Sequence, residues 1–210
     1  MTLLITIFIF LLCYICGSFP TGYIAGLYLK KIDIRNYGSG STGATNILRN
    51  VGKKAAIVVL VLDILKAMTG VLITKLIISN ITSDILNPTW NPWLEILGGS
   101  SVILGHSKSI FLNFTGGKSV ASSLGVLLIL NPIVALGTLI SFLITLLISR
   151  IVSISSIVGV LIANLLTIRS NEPLPYCLFM MSIGIYVIYR HRENIVRLSK
   201  GTEPKIGKKS

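Results

Sequence analysis

Charged residues are scarce in this sequence of 210 residues, and acidic residues are scarcer still. Only 12% of the residues are charged, seven are Asp or Glu, and 52% are hydrophobic. Ordinary soluble domains carry about 25% charged residues. The composition therefore excludes a typical soluble globular protein and indicates a membrane protein of one domain's length.

Cysteine is scarce too, and its placement argues against a metal or redox site. Cys13, Cys16 and Cys177 all fall in apolar sequence. The Cys13-x-x-Cys16 pair has no second ligand pair and no βαβ context, so we expect no metal. The N-terminal segment lacks a basic n-region and a small-residue cleavage site. We expect it to be a retained first spanning helix with its N-terminus outside.

Nineteen Lys and Arg residues give the chain a formal net charge of +12. In a soluble protein this charge would suggest a nucleic-acid partner. Here all basic residues except Lys66, Lys75 and Arg169 lie in alternate gaps between apolar segments. Positively charged loops stay cytoplasmic and attract anionic lipids. The pattern predicts contact with membrane lipids, no nucleic-acid binding, and a short basic cytoplasmic tail from about residue 190.

The apolar sequence divides into seven segments, and several are too short to cross a bilayer core of ~30 Å unaided. They cover residues 3–29, 55–79, 94–105, 117–130, 133–149, 155–168 and 174–189. We predict an all-α, polytopic integral membrane protein with seven transmembrane helices and one domain over residues 1–210. Short helices flanked by Gly suggest non-helical backbone around a cavity. Five spans, with short pairs counted as single or re-entrant elements, stay open as an alternative.

The first polar cluster is the glycine-rich loop at residues 33–49. Glycines at 38, 40 and 43 allow left-handed turns that present backbone N–H groups to an anion. Further donors come from Ser39, Thr45, Asn46 and Arg49. The Arg49 guanidinium suits phosphate. A flexible interhelical linker is the alternative, but it leaves the Thr-Asn pair and Arg49 unexplained.

The second polar cluster joins Gly105 and His106 to the sequence Phe-Thr-Gly-Gly-Lys-Ser at residues 114–119. A Walker P-loop is excluded because residue 112 is Leu and no strand precedes the motif. Gly116, Gly117 and Lys118 at a helix start still predict an anion site. His106 alone would more often be structural than catalytic.

Two further clusters lie later in the chain. The first is a hydroxyl-rich turn at residues 150–156, which includes Ser153. In the second, His191 and Asn194 are spaced i, i+3, so a helix would place both on one face. Within the second apolar segment Asp63 and Lys66 have the same spacing, which predicts an ion pair more than direct catalysis.

Together these stretches resemble the bacterial acyl-phosphate:glycerol-3-phosphate acyltransferases over nearly the whole chain. The resemblance rests on residues 17–22, 33–46, 63–66, 105–106, 111–112, 116–118, 152–156, 191–195 and 201–207. Two positions depart from the family pattern. Ser41 stands where the family usually has Asn, and Ser119 where it usually has Gly.

The resemblance implies transfer of an acyl group from acyl phosphate to glycerol 3-phosphate at the cytoplasmic side of the membrane. It implies seven transmembrane helices and no metal or other cofactor. Contacts to the phosphates and reacting groups would come from Ser39, Arg49, Lys118, Ser153, His191 and Asn194, and the site would be shaped by Thr45, Asn46, Gly116 and Gly117. We add Gly38, Gly40 and His106 as substrate-binding candidates. We expect a monomer in the bacterial cytoplasmic membrane.

Such a reaction needs proximity and charge neutralisation more than difficult bond breaking, because acyl phosphate is a mixed anhydride. The His-x4-Asp dyad typical of acyltransferases that use thioesters is absent, since neither His106 nor His191 has Asp five positions on. Either His191 or the substrate phosphate could act as base. A transporter of a phosphorylated or anionic metabolite is the alternative, but its cations would lie at the bilayer midplane.

Overall fold

The computed structural model describes residues 1–81 and 85–207, and within these ranges ten α-helices form. They are α1 Thr2–Ser18, α2 Thr21–Lys30, α3 Ala44–Asn50, α4 Lys53–Ser79, α5 Asn91–Ser107, α6 Val120–Leu130, α7 Pro132–Ser149, α8 Val152–Arg169, α9 Leu174–Arg190 and α10 Arg192–Ser199. The helices form two compact units, Met1–Leu130 and Asn131–Ser210. Lys208 and Lys209 of the predicted basic tail lie outside the described residues. The prediction of one domain stays a prediction.

The all-α membrane architecture is confirmed. Helical segments Thr2–Lys30, α4, α7 and α8 are long and apolar enough to cross a membrane, and α6 and α9 are shorter apolar helices. Each of the seven predicted apolar segments is largely helical, although α5 is longer than expected at both ends. Large apolar side chains are exposed along these helices; Leu147 and Ile148 are about four-fifths accessible. Such side chains suit contact with lipid.

The first predicted segment, residues 3–29, is broken in the structure. Helix α1 ends at Ser18, and α2 begins only at Thr21. Pro20 has no N–H to continue the ladder, and it forces the preceding residue away from helical geometry. Phe19 accordingly has φ −54° and ψ 121°. The break exposes the Phe19 carbonyl, which accepts a hydrogen bond from Lys66 Nζ at 2.9 Å.

In the first unit, glycines allow helices to approach closely. A Cβ added at Gly17 of α1 would lie 2.1 Å from the Val102 carbonyl oxygen of α5, and one at Gly105 would lie 2.2 Å from the Tyr14 oxygen. Small residues at such crossings bring backbones together in membrane helix bundles. This packing sets the C-terminal end of α5, with His106, beside the break between α1 and α2.

The second unit contains α7 to α10 and the following tail. Arg150 adopts a left-handed conformation with φ 58° and links α7 to α8 in a tight turn. The tail returns to this turn, because Ile206 N–H donates to the Arg150 carbonyl at 2.8 Å. The predicted hydroxyl-rich turn at 150–156 was wrong in its extent. Ser153, Ser155 and Ser156 belong to the first turns of α8, which begins at Val152.

Candidate active site

A single amide organises the glycine-rich loop of the first unit. Asn46 is buried, and its Nδ2 donates to the carbonyls of Ile34, Tyr37 and Ser41 at 3.2, 2.9 and 2.8 Å. Its Oδ1 accepts the Ser39 N–H at 3.1 Å. Asn46 therefore fixes the backbone of the loop that carries Ser39.

The backbone conformation of the loop agrees only partly with the sequence prediction. Gly38 and Gly40 have φ of 57° and 66°, in the left-handed region that favours glycine. Gly43 does not, because with φ −76° and ψ 163° it is the extended residue that precedes α3. The prediction of a left-handed turn at Gly43 was wrong. Ser41 Oγ accepts the Gly43 N–H at 3.2 Å, so a hydroxyl completes this turn where the family usually has an amide.

Helix α3 follows the loop and carries Thr45 and Arg49. Thr45 lies in the first turn and is half-buried, whereas Arg49 lies in the last turn and is exposed. The Cβ of an alanine at Gly38 would stand 2.4 Å from Asn46 Oδ1, so the loop packs directly onto α3. The candidates Gly38, Ser39, Gly40 and Asn46 are thus in one tight structure, with Thr45 and Arg49 on its adjoining helix.

Arg35 links this loop to the turn at residues 110–112 that precedes the second glycine-rich segment. Its Nη2 contacts Asp33 Oδ2 at 2.7 Å, and its Nη1 donates to the Leu112 carbonyl at 3.3 Å. The guanidinium also lies 5.2 Å from the ring centroid of Tyr23. The hydrogen bond from Arg35 lowers the pKa of the Asp33 carboxyl. Sequence analysis assigned no such bridging role to this arginine.

The second glycine-rich segment returns from a small turn after α5. Ser109 and Thr115 pair as an isolated antiparallel bridge. Gly117 N–H then donates to the His106 carbonyl at 3.1 Å. A Cβ at Gly116 would lie 2.3 Å from that carbonyl oxygen, and one at Gly117 would lie 2.0 Å from His106 Nε2. Both positions require glycine because the segment lies directly against His106.

Lys118 precedes α6 and does not lie within it, since the helix begins at Val120. Ser119 between them has φ 63° and is buried, and its Oγ donates to the Ile103 carbonyl at 3.2 Å. A left-handed conformation explains why the family usually has glycine here. The structure therefore accommodates the Ser119 departure with a hydrogen bond.

His106 is tied to the membrane helices as well as to the glycine segment. It is buried, and its Nδ1 lies 3.4 Å from Asp63 Oδ1 of α4. Asp63 also forms the predicted ion pair with Lys66, at 2.8 Å. No local spacing in the sequence pointed to the pairing of His106 with Asp63.

Two candidates of the second unit, Ser153 and Asn194, share a carboxylate that sequence analysis did not assign. Glu203 is buried in the tail, and its Oε1 accepts hydrogen bonds from Asn194 Nδ2 at 2.6 Å and Ser153 Oγ at 3.0 Å. Its Oε2 accepts from Arg197 Nε at 2.7 Å. The sequence signal that could have identified Glu203 is its position as an acidic residue in the tail segment 201–207, after a basic helix.

The pKa of Glu203 reflects these partners. Burial alone would raise it, but hydrogen bonds from Asn194, Arg197 and Ser153, with the charge of Arg197, bring it below its ordinary value. Glu203 is therefore an anion at neutral pH. It orients Ser153 and Asn194 by accepting a hydrogen bond from each.

His191 lies where α9 ends and α10 begins, and it is buried, as is Asn194 one turn later. Its Nδ1 lies 2.8 Å from the Val187 carbonyl oxygen. Because a carbonyl can only accept, Nδ1 carries the proton, and in the neutral ring the lone pair is on Nε2. That nitrogen has the chemistry of a base or a hydrogen-bond acceptor.

Among the described residues, no group of three or more His, Cys, Asp or Glu side chains is arranged to hold a metal ion. The site residues instead supply backbone N–H groups, hydroxyls, amides and cations. Such a set can bind anions and neutralise their charge.

Comparisons with known proteins all lead to the same family. Residues 7–201 match the family model described as glycerol-3-phosphate acyltransferase. The chain is 58% identical over 209 residues to a glycerol-3-phosphate acyltransferase of Crocosphaera subtropica, covering 100% of this chain and 97% of the relative. It is 59% identical over 199 residues to the corresponding protein of Rippkaea orientalis, covering 95% and 92%.

Two solved structures share the fold. Both are crystal structures of PlsY (YgiH), described as an integral membrane glycerol 3-phosphate acyltransferase. The glycerol 3-phosphate form has a TM-score of 0.85 and 35% identity, covering 96% of each chain. The lysophosphatidic acid form has a TM-score of 0.80 and 33% identity, covering 96% of this chain and 95% of the other.

Proposed function

The chain belongs to the glycerol-3-phosphate acyltransferase family, and we propose that its acyl donor is an acyl phosphate. It is a multi-pass integral membrane acyltransferase of phospholipid synthesis. Its acceptor is glycerol 3-phosphate and its lipid product is lysophosphatidic acid, the two compounds named in the matching PlsY structures.

The observation that carries the choice of donor is the pair of glycine-rich loops linked through Arg35. Arg49 ends the first loop and Lys118 lies in the second segment. Arg35, held by Asp33 of its own loop, connects the first loop to the turn before the second segment through the Leu112 carbonyl. Two phosphate-bearing substrates need two sets of anion-binding groups held in fixed relation. A thioester donor would not need its reacting end neutralised in this way.

The reaction requires little covalent help from the protein. The glycerol 3-phosphate hydroxyl attacks the acyl carbon, a carbon–oxygen ester bond forms, and the bond from that carbon to the phosphate oxygen breaks. Inorganic phosphate leaves, and the hydroxyl proton passes to a base. Orientation of two anions and stabilisation of charge on the leaving phosphate supply the catalysis.

In the first unit, Lys118 and Arg49 would neutralise substrate phosphates, and Ser39 would donate a hydrogen bond to a reacting group. Arg49 suits phosphate because its guanidinium can donate two parallel hydrogen bonds. The residues that would form the walls of the binding loops are Gly38, Gly40, Thr45, Asn46, Gly116 and Gly117. Their support is the hydrogen bonding of Asn46 and the close packing of Gly117 on His106.

In the second unit, Ser153, His191 and Asn194 would contact the reacting groups. The Glu203 carboxylate accepts from Ser153 and Asn194, so both side chains are held in one orientation. His191 with its proton on Nδ1 could receive the hydroxyl proton at Nε2. The substrate's own phosphate is the alternative base.

For topology, we infer seven spans with the N-terminus outside and the C-terminus in the cytoplasm of a bacterium, in its cytoplasmic membrane. The helical nature of all seven apolar segments and the basic residues in alternate gaps support this arrangement. We also expect the enzyme to act as a monomer.

The test is a donor comparison with purified enzyme. Glycerol 3-phosphate is incubated with acyl phosphate or with acyl-CoA of the same chain, and lysophosphatidic acid and released phosphate are measured. We expect equal amounts of both products from acyl phosphate and little product from acyl-CoA. Turnover with acyl-CoA and none with acyl phosphate would refute the proposed donor.

A further inference from the structure

Asp63 carries a charge at a position where the surrounding helices give it no access to water. It lies in α4 and is fully buried. Its Oδ1 is close to three groups: Thr21 Oγ1 at 2.6 Å, Lys66 Nζ at 2.8 Å and His106 Nδ1 at 3.4 Å. Its Oδ2 is buried without a hydrogen-bond partner among the described residues.

Burying these charges costs free energy, so packing alone does not explain the arrangement. A buried ion pair can often be replaced by apolar side chains of similar volume without loss of stability. Part of the arrangement has a structural use, because Lys66 also caps the Phe19 carbonyl at the break between α1 and α2. The contact with His106 involves neither Lys66 nor the Phe19 carbonyl.

His106 in turn determines the position of the glycine segment. Its carbonyl holds the Gly117 N–H at 3.1 Å, and its ring fills the space in which a Gly117 Cβ would stand. Lys118 follows directly in the chain. A rotation of the His106 ring would therefore remove the surface on which Gly117 packs, next to the lysine.

We propose that Asp63 is a positioning residue for acyl transfer. It holds His106 in one ring orientation with the proton on Nδ1, and His106 holds Gly117 so that Lys118 is directed at a substrate phosphate. A carboxylate behind a histidine fixes tautomer and orientation in this way at many sites. The inference rests on the proposed role of Lys118 as a phosphate ligand.

The deciding variant is Asp63→Asn combined with Lys66→Met, which removes both charges and keeps both sizes. Purified variant and wild type are compared by thermal unfolding in detergent and by KM for each substrate. We expect a folded enzyme with a somewhat lower unfolding temperature, because Lys66→Met removes the cap on the Phe19 carbonyl. The KM should rise about tenfold for the substrate whose KM Lys118→Ala also raises, since orienting partners are typically worth about 10–100-fold. A wild-type KM for both substrates would overturn the proposal.

Two comparisons separate positioning from a general structural effect. Lys75→Met with Glu95→Gln removes another ion pair of α4, at 3.4 Å, which does not contact His106. It should leave both KM values unchanged. Adding the Asp63 and Lys66 changes to Lys118→Ala should cause little further loss beyond that of Lys118→Ala alone, because both act through one lysine. Fully multiplicative losses would contradict the proposal.

If the double variant fails to fold, Gly117→Ala tests the same positioning role. Its Cβ would lie 2.0 Å from His106 Nε2, so it disturbs the same contact from the opposite side. It should raise the KM for the same substrate, and unchanged KM values would overturn the proposal. If Lys118→Ala itself is fully active, the proposed site fails. If Lys118→Ala is impaired and the double variant is not, only the positioning role fails.

Discussion

Replacing Glu203 with alanine should destabilise the second unit and remove most of the activity. The change leaves the buried Ser153 hydroxyl and Asn194 amide without their shared acceptor. An unsatisfied buried donor costs about 1–3 kcal/mol. Arg197 loses an ion pair too, but it is partly exposed and water can replace the contact at little cost. We expect a total of about 2–4 kcal/mol, because Ser153 can rotate to a backbone carbonyl of its own helix.

Thermal unfolding of purified protein in detergent measures this effect. A loss of this size should lower Tm by roughly 5–15 °C. Glu193→Ala is the matched control, since Glu193 is an exposed acid in the first turn of α10 and should cost less than about 1 kcal/mol. Equal losses in the two variants would refute the assignment of Glu203 as the shared acceptor.

The same carboxylate predicts a pH dependence of stability. Because the folded-state pKa of Glu203 is lowered, its stabilisation is complete above the ordinary value of 4.5 and is lost as the pH falls through the folded-state value. Glu203→Gln should therefore be less stable than wild type at neutral pH and should approach it in acid. A difference that stays constant from pH 7 to pH 3 would contradict this linkage.

Three further predictions test other parts of the molecule. In a cysteine-free background, a single cysteine at Asn36, an exposed residue of the first glycine-rich loop, should be labelled only from the cytoplasm, and labelling only from outside would invert the topology. Arg49→Ala and Lys118→Ala should each lower kcat/KM by roughly 10²–10³. The control Lys53→Ala changes an exposed lysine at the start of α4 and should lose little activity. The reverse ranking would place the active site at the start of α4 instead. Ser119→Gly should change the unfolding free energy by less than about 1 kcal/mol, because relief of the positive φ offsets the lost hydrogen bond; a larger loss would show that the hydroxyl dominates.

Local patterns anticipated some details of the structure and misjudged others. The break between α1 and α2 was visible as Pro20, yet hydropathy averaged over it and predicted one segment. The left-handed conformations of Gly38 and Gly40 followed from their residue type, but Gly43 is extended, since glycine permits either conformation. The Asp63–Lys66 pair was predictable because i, i+3 neighbours on a helix face the same side.

By itself the sequence determined that the chain is an all-α membrane protein, where its apolar segments lie, and which loops carry the glycines and cations that we propose to bind substrate phosphates. These properties depend on composition and on spacing within a few residues, because lipid requires every spanning segment to satisfy its own backbone. Only the tertiary structure decided which distant groups meet. Glu203 reaches Ser153 across 50 residues, and Asp63 reaches His106 on another helix. Such contacts depend on how the helices pack and on where the tail returns. Local sequence patterns contain no information about either.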